Sequence, residues 1–195
     1  MNVLPRCLRR AGLAAIVLLA LLAPALSRSY AMPALANTHK LYLPIAERHD
    51  APLTVDQQVL ALINQQRRSN GCNADLTISS NLKQAADRHS ADMALHDIFS
   101  HTGSDGSSMV DRIVQSGYHY SMIAENIAAG YSTPQQVVDG WMSSSGHRAN
   151  ILNCSLRETG IGYYYQSNDQ PNVKSGSSKP GGPYYYYWTQ DFGAP

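Results

Sequence analysis

Gly160-Ile161-Gly162-Tyr163-Tyr164-Tyr165 and Tyr184-Tyr185-Tyr186-Tyr187-Trp188-Thr189-Gln190 decide the fold class, because the chain before them runs at helical spacing and they do not. Aromatic residues suit a pleated, half-buried surface, so both stretches predict strands. Alternate residues of a strand face opposite sides, and ordinary sheet packing accounts for these tyrosines without a ligand-stacking face. The segment between them, Ser167 to Pro183, is rich in Ser, Gly, Pro and Lys. It predicts a long exposed hairpin loop with little fixed structure.

Upstream, the helical signals are well marked. Thr133-Pro134-Gln135-Gln136 places a cap, a proline at the first helical position and a box glutamine in order, and Val137, Val138, Trp141 and Met142 then form a buried face. Ser143-Ser144-Ser145-Gly146 ends that helix. Thr54 with Gln57 is a capping box, after which Val55, Val59, Leu60 and Ile63 repeat at helical spacing until Asn70-Gly71. A second helix begins near Ser79 or Ser80 and carries Leu82, Ala85, Ala86, His89 and Met93 on one side. His89 sits in that apolar stripe, which predicts a hydrogen-bonded core histidine rather than a ligand. Asp105-Gly106 marks a turn, and Met109, Val110, Ile113 and Val114 predict a short third helix closed by Gly117. Helices around a small antiparallel sheet make an α+β layered domain, residues 54–195.

The N-terminus has a different character. Arg6, Arg9 and Arg10 precede an uncharged run from Ala11 to Leu26, broken by Pro24 and then followed by Arg28. A membrane span needs about 20 apolar residues, so residues 1–36 read as a cleaved export signal, which leaves no transmembrane anchor. Two small-residue patterns, ending at Ala31 and at Ala36, are candidate cleavage sites. Residues 37–53 read as a linker with Pro44 and Pro52; its apolar piece, Leu41 to Ile45, has the pattern of an extended strand.

The chain carries 15 basic against 14 acidic residues. Cleavage after Ala36 removes four basic residues and no acidic one, leaving 11 against 14 in 159 residues. That is enough chain for one domain with its own core. It lacks the concentrated basic surface that phosphate neutralisation requires, which excludes nucleic acid as a partner. Cleavage also removes Cys7 and leaves Cys72 and Cys154 in an oxidising compartment, where a disulfide is expected and two buried thiols are the alternative. Asn153-Cys154-Ser155 matches a glycosylation pattern that matters only in a host that glycosylates.

Three segments concentrate polar residues beside expected helix ends: Phe99-Ser100-His101-Thr102-Gly103, Ala124-Glu125-Asn126-Ile127-Ala128 and Ser145-Gly146-His147-Arg148-Ala149-Asn150-Ile151-Leu152. Spacing alone says little of them, because His101 and His147 are not an i, i+4 ligand pair. In this order, and with Ala85 to Ala94, Trp141-Met142 and the closing Trp188-Thr189-Gln190-Asp191-Phe192-Gly193, they resemble the CAP superfamily. That superfamily holds cysteine-rich secretory proteins, insect venom allergens, plant pathogenesis-related proteins and bacterial exported proteins.

The resemblance implies a three-layer α-β-α sandwich with a central cleft where two histidines and two acidic residues converge. His101 and His147 match the histidines and Glu125 the first glutamate; the second glutamate is replaced near Ser144. Two neutral imidazoles hold a divalent ion, zinc above all, at about 2.0 to 2.1 Å with positions left open for water. Glu125 is then a further ligand or the group that orients that water, and the candidate catalytic residue. The expected function is an extracellular or cell-envelope binding module for a protein, peptide or lipid. A metal-dependent hydrolase of peptide or cell-wall substrates is the alternative, and lipid or sterol binding a second. A Ser144-His147-Glu125 triad is disfavoured, since no strained nucleophile elbow is present.

Overall fold

The structure, a computed structural model, describes residues 52–175 and 181–195. The export signal, its cleavage patterns and all of the linker but Pro52 and Leu53 lie outside the described residues.

In chain order the elements are α1 (Val55–Ser69), β1 (Thr77–Ile78), α2 (Ser80–Leu95), α3 (Met109–Gln115), β2 (Met122–Ala129), α4 (Pro134–Ser143), α5 (Ser145–Ile151), β3 (Glu158–Tyr165) and β4 (Tyr186–Ala194). The strands form one sheet in the order β1-β3-β4-β2. β4 pairs antiparallel with both β3 and β2. The short β1 runs parallel to β3, so the sheet is mixed rather than wholly antiparallel.

One face of the sheet packs on α1, α4 and α5. Val59 and Ile63 of α1, Val137, Val138 and Trp141 of α4, and Ile151 of α5 meet Ala128, Ile161, Trp188 and Phe192 from the strands. The other face packs on α2 and α3: Met93 and Ala94 of α2 meet Ile127 and Tyr187, and Leu82 and Ala85 of α2 meet Ile113 of α3, Tyr118 and Ile123. Three layers result, as the resemblance implies.

The caps form where the sequence places them. Thr54 N–H donates to Gln57 Oε1 at 2.9 Å, and Ser79 is the N-cap of α2. Thr133 Oγ1 accepts from Gln136 N–H, but the Gln136 side chain turns to Ser132, one residue short of a reciprocal box. Gly117, at φ +80°, closes α3. On α3, Val110 and Val114 are exposed while Arg112 turns inward, against the apolar stripe expected there.

Four further differences bear on the site. Ser143 to Gly146 ends α4 but also starts α5, with Ser144 as the hinge between the two helices. The Glu125 segment is strand β2, paired residue by residue with β4. β4 begins at Tyr186 and runs on through Asp191 to Ala194. The hairpin segment also has fixed structure in its described part. Asp169 is buried and accepts from Tyr184 N–H, Tyr185 N–H and the Tyr187 hydroxyl at 2.6, 2.8 and 2.9 Å. Lys174 O accepts from Phe99 N–H at 2.8 Å, so this segment also braces the loop that carries His101.

Candidate functional site

α2 delivers the first part of the site through the loop that follows it. His89 is wholly buried on α2, and burial lowers its pKa, so it is neutral near pH 7. Its Nε2 lies 2.9 Å from Ser100 O. A carbonyl only accepts, so Nε2 carries the proton and the core histidine ties the loop one residue before His101.

Glu125 stands on β2 with its side chain 2% exposed. One carboxylate oxygen, Oε1, is 2.7 Å from His101 Nδ1; the other, Oε2, accepts from Arg112 Nη2 at 2.7 Å. Arg112 also donates to Ser107 O and His101 O. Burial pushes the Glu125 carboxyl up, but the hydrogen bond from His101, the charge that His89 takes up only in the acid range where Glu125 titrates, and the charge of Arg112 together lower it, and it stays ionised. An ionised carboxylate accepts, so His101 Nδ1 carries the proton and Nε2 is left for the cleft.

His147 reaches the same cleft from α5. Asn126 Nδ2 donates to His147 O, and Asn150 Nδ2 donates to Asn126 Oδ1 and to Glu125 O. These amides fix α5 against β2. Burial, and then the neighbouring His101, lower the His147 pKa, which favours the neutral ring that a metal or a hydrogen-bonding ligand needs. His101 and His147 line a cleft of about 610 Å³ with Phe99, Ser100, Ile127 and Tyr184.

All three residues expected from sequence therefore meet at one site, with Glu125 behind His101 rather than beside His147. Among the described residues no hydrogen bond joins Glu125 to His147, so the Ser-His-Glu arrangement does not form. Nor, among the same residues, do three or more His, Cys, Asp or Glu converge there as a metal-holding group.

Two residues of the site escaped sequence reasoning. Arg112 falls among the apolar positions of α3 and belongs to none of the three polar segments. Asp191 faces Glu125 across the β2–β4 ladder, fully buried, and its carboxyl oxygens have no hydrogen-bond partner among the described residues. Burial first, and the Glu125 charge second, raise its pKa well above the ordinary carboxylate value. Its only sequence signal was a place in the closing Trp188 to Gly193 segment.

An α-β-α domain whose edge strand carries a carboxylate that backs one histidine, with a second histidine lining the same open cleft, defines the class. The family model of the cysteine-rich secretory protein family, CAP, matches residues 60–192, and the chain belongs to that family. The uncharacterized protein YkwD of Bacillus subtilis (strain 168) is 35% identical over 137 residues, 70% of this chain and 46% of its own length. The uncharacterized membrane protein YlbC of the same organism is 33% identical over 118 residues, 59% of this chain and 34% of its own. The chain thus spans less than half of these curated relatives. Among solved structures, an extracellular SCP-domain protein from Bacillus anthracis str. Ames superposes with TM-score 0.57 at 28% identity, over 72% of this chain and 40% of that one. An outer surface protein from Borrelia burgdorferi shares the fold at TM-score 0.58 and 17% identity, over 72% of this chain and 95% of its own.

Proposed function

We propose that this chain is an exported CAP-domain binding module, acting outside the cytoplasm, whose cleft takes a divalent ion between His101 and His147. The observation that carries the reading is the chain of contacts from Arg112 through Glu125 to His101 Nδ1, at 2.7 Å in each step. A carboxylate behind an imidazole fixes its tautomer and raises its basicity, the usual support of a metal-bound histidine. Two neutral imidazoles fit a divalent ion that completes its shell with water or with a ligand, and zinc suits such donors best. A bound ion would supply Lewis acidity to a ligand oxygen.

Binding is favoured over hydrolysis by the same contacts. Glu125 is buried, and both its oxygens are engaged by Arg112 and His101, so it is poorly placed to take a proton from water. The second glutamate that the resemblance implies is replaced near Ser144, which is the hinge between α4 and α5.

Calorimetric titration of zinc into the chelator-treated protein tests the reading. One site that vanishes in the His101→Ala/His147→Ala double variant is expected. No binding, or equal binding in both proteins, overturns the metal. Turnover of a peptide or cell-wall substrate that is lost in His147→Ala would instead make the protein a hydrolase.

A further inference from the structure

The cleft does not stop at the histidines. Beyond His147 it runs on as a groove of about 260 Å³ over Ile127 to Ala129, between Phe99 and Tyr131. Past Gly140 it opens onto a trough beside Gln136 and Asp139. Phe99 borders both the cleft and the groove, with Tyr184 on the His101 side and Tyr131 on the far side.

Tyr131 is held in place there. Its carbonyl accepts from Trp188 Nε1 at 2.7 Å, and its ring lies against the backbone of α4 at Gly140. A Cβ at Gly140 would come within 2.6 Å of Tyr131 Cζ and 2.7 Å of its hydroxyl oxygen. Glycine inside a helix is disfavoured, and here it makes room for that ring. Tyr131 nevertheless remains 36% exposed, so part of the ring is open to a ligand.

The lining chemistry narrows what fits. Among the described residues the ionisable groups along the three parts, tyrosine hydroxyls aside, are His101, His147 and Asp139, with no lysine or arginine. An anionic polymer finds no counter-charge among these described lining residues. β2 is the edge strand, but Glu125 O accepts from Asn150 Nδ2 and Ile127 O from Trp141 Nε1. An extended peptide cannot add to that edge as a strand when those carbonyls are taken. What remains is spaced aromatic faces with the hydroxyls of Ser100 and Ser144 between them. Such a surface suits rings that present C–H faces to an aromatic and hydroxyl edges to serines.

We propose that the groove binds a neutral oligosaccharide, laid from Tyr184 past the two histidines to Tyr131, with Tyr131 as the platform for the last ring. The inference rests on the binding-module reading of the same cleft.

The test is calorimetric titration of a chitin tetrasaccharide into wild type, Tyr131→Ala, Tyr131→Phe and Gly140→Ala, each checked for native circular dichroism, with zinc titrated into the same samples. Wild type is expected to bind the saccharide. Tyr131→Ala and Gly140→Ala should weaken binding by about tenfold or more, and Tyr131→Phe by no more than about threefold. Gly140→Ala is the cleaner variant, because it displaces the ring and favours the helix. No saccharide binding, or binding unchanged in both Tyr131→Ala and Gly140→Ala, overturns the proposal. Zinc bound without saccharide overturns this proposal alone. Saccharide bound and Gly140-sensitive without zinc overturns the metal reading and leaves the groove standing.

Discussion

A carboxyl group cut off from water and from hydrogen-bond donors keeps its proton, and Asp191 is such a group among the described residues. Its pKa lies well above that of the unfolded chain, about 3.9. Between those two values the folded state holds a proton that the unfolded state has released, so the contribution of Asp191 to stability falls as pH rises. Glu125, with a lowered pKa, acts in the opposite sense, and its contribution is lost as pH falls. Asp191→Asn cannot release a proton. We predict that its urea midpoint gains on wild type progressively as pH is raised above about 4, because the variant has no proton at this position to release. Parallel pH profiles for the two proteins would contradict this. Of the site residues, His101, Glu125 and His147 were legible because each sits in a recognisable run of polar residues. Arg112 and Asp191 were not, since nothing local to either distinguishes an inward-turned charge from an exposed one.

Helix α2 lies directly on β3, and two glycines on one face of that strand allow it. A Cβ on Gly160 would stand 2.0 Å from the Leu82 carbonyl carbon, and one on Gly162 would stand 2.2 Å from Ala86 O. These are backbone atoms that cannot rotate away. Gly160→Ala should therefore destabilise the protein by about 1–3 kcal/mol or more as α2 is forced off the sheet. Gly146→Ala, where a Cβ meets nothing within 4 Å, should leave stability near wild type. Chemical unfolding of both variants checks this, and similar losses in the two would contradict it. The elements most legible in sequence were those with caps, as at Thr54, Ser79 and Thr133. β2 was not legible. Met-Ile-Ala-Glu-Asn-Ile-Ala-Ala has little β-branched or aromatic character, and its strand conformation comes from pairing with β4. α5 was hidden because a Ser-rich stop and a Ser-rich start look alike. The hairpin segment was misread because composition says nothing of one buried carboxylate, Asp169, gathering three donors.

The domain is tied together at two junctions. Cys72 and Cys154 form a disulfide across 82 residues, joining the end of α1 to the segment after α5. Beside it Arg67, fully buried, donates to Ile151 O, Asn153 O, Ala74 O and Leu156 O, so one guanidinium satisfies four carbonyls of that junction. Cys72→Ser should cost about 2–5 kcal/mol, read as a lower melting temperature that reduction of wild type reproduces. An unchanged melting temperature would contradict a structural role for the bridge. At the second junction, α3, β2 and the loop after α2 meet as Arg112, Glu125 and His101, the array on which the reading of the cleft depends. Long-range proton–nitrogen correlation of 15N-labelled imidazoles, at a mildly alkaline pH where histidine is neutral, observes that array directly. His101 is expected to carry its proton on Nδ1 in wild type and to lose that preference in Glu125→Ala. A proton found on Nε2 of His101 in wild type would contradict it.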